Sequence, residues 1–517
     1  MNPSTADLIL KNANVITIDS SQPTAELVAI KGNKILLVAS NDRLESVRGV
    51  KTAVIDCQGK TVVPGFNDAH CHLFSLIRKQ SSIDLSPVSV NSISDIKAAI
   101  RRQAQSTPPG GWLTGTDYNE FYLAEKRHPT RRDIDEVSPQ HPVVLAHRSL
   151  HACVLNSLAL SLAGITRETP EPPGGVIDRD ISTGEPSGLL FEMLGYIREK
   201  VVPSPSEKKL AKGIALANQH YLSLGITSLQ EATVSNNFSQ WQILRRFKDA
   251  GKLKSRVSMM FGIEALGQFQ ESGLVSGSGD SQLRLGGIKM MLGETAGQLY
   301  PSQTELNKRV FDAHWAGFQL AIHAIESSAV AAAITALEHA HSCFPLVGRR
   351  HRIEHCSECP PHLLERLIKI QPVIVTQPSF LYYSGERYLA EIPLHQLQWL
   401  YRIKAFFAGG LIVAASSDSP VVPDNPLVGI YAAVTRRVES GQQLPPVECI
   451  SPGQALAMYA TNAAYASFEE DVKGTITPGK LADMVVLSDD LIKLPSEQIR
   501  DIRVEMTIID GKVAWEA

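Results

Sequence analysis

Apolar and polar positions alternate with the two-residue period of a sheet at both ends of this chain. Near the start, an apolar run over 8–16 is followed by another over 26–30. The turn Lys31-Gly32-Asn33-Lys34 then leads into the apolar run 35–38. Gly-Asn between two such runs predicts a β-hairpin. The far end has the same style over 482–487 and 504–513. Neither segment is large enough to bury a core alone. Together, residues 1–64 and 468–517 are expected to build one small β-sandwich, interrupted by everything between them.

The middle of the chain has a different pattern. Short apolar runs at 143–146, 226–229, 287–291, 319–323, 351–355, 373–376 and 412–416 read as strands. Helical stretches separate the later ones, including 302–315 and 327–341. Ser302 with Glu305 three residues on has the spacing of a capping box. Strand–helix alternation over this length predicts an α/β fold, a (β/α)8 TIM barrel spanning 65–467. The stretch from about 90 to 200 is rich in Pro and Gly, as in Thr107-Pro108-Pro109-Gly110-Gly111, and reads as an insertion over the barrel mouth.

Composition narrows the function classes. The 517 residues are 44% apolar and 20% charged with a net charge of −3, so neither nucleic acid nor an anionic membrane is an expected partner. No run of about 18 apolar residues predicts a membrane span, and the first residues lack the basic flank of a signal peptide. Seven dispersed cysteines make no disulfide framework and point to the cytoplasm. Cys356-Ser357-Glu358-Cys359 has zinc-like spacing, but no second pair completes a four-thiolate site.

The chemistry starts at His70-Cys71-His72. Residues two apart share a face on a strand and diverge by roughly 200° on a helix. The β-rich stretches at 51–55 and 61–63 and the Pro64-Gly65 break put this pair at a strand end, where both imidazoles can chelate one metal ion. Cys71 then faces the opposite way and is read as packing. A second pair, His339-Ala340-His341, follows an alanine-rich helical stretch and cannot easily grip one ion. Further along, Lys289, His323, His355 and Asp418 lie on or just after strand candidates, where barrels place their active sites.

These residues sit in motifs that resemble the amidohydrolase superfamily, in the amidohydrolase-3 branch that includes N-substituted formamide deformylases. The matching pieces are Pro64-Gly65-Phe66-Asn67-Asp68-Ala69-His70-Cys71-His72, Gly287-Ile288-Lys289, Ala321-Ile322-His323-Ala324, Arg352-Ile353-Glu354-His355-Cys356 and Ser417-Asp418-Ser419-Pro420. Thr461-Asn462-Ala463-Ala464 and the return Gly474-Thr475-Ile476-Thr477-Pro478-Gly479 complete them. The resemblance implies a metal-containing barrel with a composite β-sandwich. It implies one or two divalent ions, for which zinc suits the ligands best and iron or manganese remain alternatives. His70 and His72 would hold the more buried ion, and His323 and His355 the more exposed one. Lys289 would be N-carboxylated and bridge the two. Many members of this branch continue the lysine strand with Asp-Gly, whereas this chain has Leu292-Gly293-Glu294. Glu294 is therefore a candidate ligand or substrate contact, and a one-ion site is the alternative.

Asp418 would take the proton of the attacking water and pass it to the leaving amine. The expected reaction is hydrolysis of an amide or related C–N bond in a small molecule: an N-formyl, N-acyl or cyclic amide. Tyr118, Arg148, His151 and Glu192, from the insertion, are candidate substrate contacts. A deaminase or lactonase on the same scaffold is the alternative, the former because Glu231 lies near the place such a site wants a carboxylate. A non-catalytic barrel scaffold is a third reading. Homo-oligomerisation is left open.

Overall fold

A computed structural model describes residues 5–295, 298–345 and 348–517. Its centre is an eight-stranded, all-parallel sheet. In chain order the strands are β1 (Phe66–Cys71), β2 (Ile226–Glu231), β3 (Arg256–Gly262), β4 (Leu283–Met290), β5 (Leu320–Ala324), β6 (Arg352–His355), β7 (Val373–Thr376) and β8 (Val413–Ala415). Helices follow several of these strands, including Gln303–Trp315 before β5 and Ser327–Cys343 after it. Strands covered on both faces need side chains that tolerate burial throughout. Thus β1, β2 and β3 are buried at every position, their polar members turned inward or paired. The seam between β8 and β1 is joined by the segment after β8: Asp418 N donates to His70 O at 2.8 Å and His72 N to Ser419 O at 2.7 Å. The chain is thereby a TIM barrel.

Three differences from the sequence pattern matter. The run at 143–146 forms a strand, Val143–His147, but it pairs in a separate six-stranded sheet of the insertion, not in the barrel. That sheet also takes in Ile83–Asp84, upstream of residue 90. In its place the barrel uses β3, where Arg256 and Ser258 interrupt the apolar run. Finally, Ser302 caps its helix by accepting from Glu305 N, but the Glu305 carboxylate binds Arg309 at 2.6 Å instead of completing a capping box.

Two further sheets lie at the barrel's N-terminal end. One runs in the order Lys34–Ala39, Leu27–Lys31, Leu8–Lys11, Ala53–Asp56. The other mixes both termini: Lys512–Glu516, Val504–Ile509, Met484–Leu487, Thr61–Pro64, Asn14–Ile16, Thr24–Ala25. Apolar residues of both sheets, among them Leu10, Val28, Val62, Met484 and Ile508, share one buried cluster. Gly32 takes the positive φ (58°) that the hairpin turn requires. Gly65 marks the passage into β1: a Cβ there would lie 2.2 Å from Thr227 Oγ1, so only glycine lets β1 and β2 approach. Beneath β3, Arg256 is buried and bound to Asp483 (2.6 and 2.9 Å) and Asp510 (2.6 Å), tying the barrel to the sheet from the C-terminus.

Candidate metal centre

The C-terminal ends of the barrel strands converge on one point. His70 lies next to the end of β1 and His72 just follows it, Lys289 lies on β4, His323 on β5, His355 ends β6, and Asp418 follows β8. The nearest ligand atoms of His70, His72 and Asp418 all lie within 4.8 Å of one another. Asp418 Oδ1 is 3.0 Å from His72 Nε2 and 3.4 Å from His70 Nε2. Lys289 Nζ is 3.0 Å from the same His70 nitrogen. The His355 ring lies 5.1 Å from that of His70 and 4.4 Å from that of His323, centroid to centroid. His355 and Asp418 are both held at positive φ (70° and 58°), conformations that non-glycine residues adopt only where their surroundings enforce them.

Neighbouring residues fix which imidazole nitrogen is free. A carboxylate only accepts, so the 2.5 Å contact between His70 Nδ1 and Glu354 Oε2 places the proton on Nδ1 and leaves the Nε2 lone pair facing the centre. Gln377 Oε1 does the same for His355 Nδ1 at 2.8 Å, its amide nitrogen being spent on Ser416 Oγ. His355 Nε2 is then a buried polar atom with no partner among the described residues. Such orphans are rare in native structures and call for an explanation. A divalent cation supplies one, so this donor set fits a metal.

Electrostatics point the same way. Burial pushes the pKa of His70 down to about 3 and that of His355 to about 4, and it lowers His323 as well. All three are therefore neutral, the form that ligates. Burial also lowers Lys289 to about 8, which brings its neutral amine within reach. Burial opposes the charge on Asp418, but the hydrogen bond from His72 and the fields of the histidines outweigh it and hold this carboxyl well below the usual range. Glu354 is likewise opposed by burial and kept ionised by Arg352, which binds it at 2.7 and 3.0 Å. Arg352 is in turn bound by Gln230 Oε1 and Ala69 O, so a polar column inside the barrel supports His70 from below.

The sequence profile of the amidohydrolase family matches residues 53–514. The chain belongs to this family. Among curated relatives, it is 28% identical to the N-substituted formamide deformylase of Arthrobacter pascens, over 99% of this chain and 98% of that protein. It is also 28% identical to a putative amidohydrolase of Bacillus subtilis (95% and 96% covered). Among solved structures, it resembles an uncharacterized metal-dependent hydrolase from Pyrococcus furiosus, with 25% identity, a TM-score of 0.72 and coverage of 94% and 100%.

The remaining candidates of this amidohydrolase divide. His151 and Glu192 line the cavity over the centre, about 560 Å³ in volume, together with His72, Lys289, His323, His355 and Asp418. His151 Nδ1 is 2.8 Å from Glu192 Oε1, and its ring is 5.6 Å from that of His323. Arg148 does not line the cavity; its guanidinium donates to Val421 O (3.0 Å) and Tyr383 O (3.4 Å), bracing the loop after Asp418. Tyr118 is also away from it, buried in the insertion's core with its hydroxyl 3.1 Å from His128 Nδ1. The Glu294 side chain lies outside the described residues.

Glu231 is fully buried, and its carboxylate accepts from the backbone N–H groups of Leu73 and Thr233 and from Asn236 Nδ2. It shapes the loops after β1 and β2 and does not line the cavity over the centre. Cys71 packs in the main core, its Sγ 3.8 Å from Gln230 O. Cys356 and Cys359 are both buried and free. His339 and His341 sit on the exposed side of the helix Ser327–Cys343. The supporting roles of Glu354, Gln377 and Thr233, whose Oγ1 is 2.9 Å from His72 Nδ1, are not apparent from the motifs. Only Glu354 leaves a signal: it shares a strand face with Arg352 in Arg352-Ile353-Glu354.

Proposed function

We propose that this protein hydrolyses an amide or related C–N bond in a small molecule, of the N-formyl, N-acyl or cyclic amide class. The observation that carries the reading is the position of Asp418, an ionised carboxylate within 3.0–3.4 Å of the Nε2 atoms of His70 and His72. His70 and His72 would hold one divalent ion and His323 and His355 a second, with Lys289 as a carbamate between them. An ammonium would repel a dication, whereas a carbamate offers two anionic oxygens. Zinc suits this donor set, with iron or manganese as alternatives. Ions bound there would polarise a carbonyl and bring the pKa of water to near 7.

Asp418 accepts the proton of the attacking water on Oδ1 and returns it to the departing nitrogen. Its depressed pKa keeps it ready as a base. Thr233 and Gln377 hold the rings of His72 and His355 in place while the proton moves. His151 and Glu192 face the same cavity from the insertion and would contact the substrate. The similarity to an N-substituted formamide deformylase over nearly the whole chain supports a C–N bond as the target. The test is a turnover screen of metal-loaded protein against N-formyl, N-acyl, cyclic amide and ester panels. Amide turnover supports the reading. Ester turnover alone, or none, contradicts it.

A further inference from the structure

The cavity over the centre shares part of its wall with a second one, about 590 Å³, that lies between the barrel and the insertion and opens to solvent. Four residues line both: Arg78, Leu194, Arg198 and Ser204. Arg78 lies at the end of the helix Leu73–Lys79 that follows the His-x-His motif, and Arg198 on the helix Leu194–Lys200 of the insertion. Both guanidinium groups are half-buried. Among the described residues neither makes a hydrogen bond or ion pair through its side chain, and the acids of the surrounding wall are engaged elsewhere. Glu192 binds His151 (2.8 Å), Glu199 binds Lys200 (3.3 Å) and Glu264 binds Arg309 (3.2 Å). Asp418 faces the histidines, and Glu231, the buried acid whose field reaches Arg78, is spent on backbone N–H groups.

Two arginines on one shared wall are costly to bury unless something anionic joins them. Burial and then Arg78 push the Arg198 pKa down to about 10, the mark of a cation short of compensation. The second cavity adds to the imbalance: it is lined by hydroxyl groups such as Ser81, Ser82 and Thr114 and by Lys209, and no described carboxylate faces it. Guanidinium groups bind planar carboxylates through paired hydrogen bonds that a neutral amide cannot reproduce.

We infer that Arg78 and Arg198 form an anion-recognition site between the two cavities, and that the substrate is an amide bearing a carboxylate remote from the scissile bond. This rests on the amide-hydrolase reading of the centre. The amide sits over Asp418, while the carboxylate reaches the arginine pair and leaves the second cavity for the rest of the molecule.

The test measures binding to Asp418→Asn protein, as purified, of N-formyl ω-amino acids with two- to six-carbon chains and of their neutral carboxamides. At one chain length or more the acid is expected to bind at least ~10-fold tighter than its carboxamide. The preference should fall to within about twofold in Arg78→Gln or Arg198→Gln, and Arg78→Lys should keep part of it. No preference at any length overturns the inference without needing an arginine variant, and so does a preference that both glutamine variants retain. If protein with Asp418 intact turns over neutral amides and no carboxylate preference exists, only the anion site falls. If carboxylates bind through the arginines but no amide is cleaved, only the hydrolase reading falls.

Discussion

The two ends of the barrel bury charge in opposite ways. At the N-terminal end, Arg256 spends every guanidinium nitrogen: on Asp483, on Asp510 and on Ser281 O at 2.8 Å. At the C-terminal end, His70, His72, Lys289 and Asp418 crowd one another, and His355 Nε2 has no partner among the described residues. Burial of ionisable groups is common to both and distinguishes neither. What separates them is completion. A closed network holds two layers together, while one that leaves a donor atom unpaired is suited to taking a ligand.

Substitutions at the two ends should therefore separate activity from stability. The largest effect is expected for Asp418→Asn: about 10²–10⁴-fold lower kcat with metal content unchanged, checked by steady-state kinetics beside elemental analysis. At the other end, Arg256→Ala strands two carboxylates and is expected to cost about 3–5 kcal/mol of unfolding free energy in urea titrations, with activity per folded molecule preserved. Equal loss of activity in the folded Arg256 variant would break the comparison. Smaller again is Glu354→Gln, which frees the His70 ring without removing a ligand. Chelator competition should show about 10–100-fold weaker metal binding. The smallest effect belongs to His339→Ala with His341→Ala, where stability should move by less than about 0.5 kcal/mol and activity not at all.

Much of the candidate site was legible because its signals are local. His-x-His after a β-rich stretch is a strand end, and the same spelling inside Ser327–Cys343 is helix surface. Period and neighbours decide between them within a dozen residues. The carboxylate partners of Arg256 lie more than 220 residues away. In sequence this arginine only interrupts an apolar run, so the pattern yields no strand for β3. Val143–His147 carries the opposite lesson: it reads like a barrel strand, and nothing local states which sheet will pair with it. Tyr118 and Arg148 lie on or beside strands of the insertion, as expected, but whether a side chain faces a cavity is set by how the insertion docks. The same long-range packing brings Arg78 and Arg198 to a shared wall across 120 residues of sequence.

The central claim is that the open cluster at the C-terminal end of the barrel is a metal centre. Elemental analysis of purified protein, set against the two His-x-His double variants, addresses it most directly. The account predicts one to two equivalents of a divalent metal per chain, lost in His70→Ala with His72→Ala and retained in His339→Ala with His341→Ala. Equal metal content in both variants, or full activity in exhaustively metal-free protein, would contradict it.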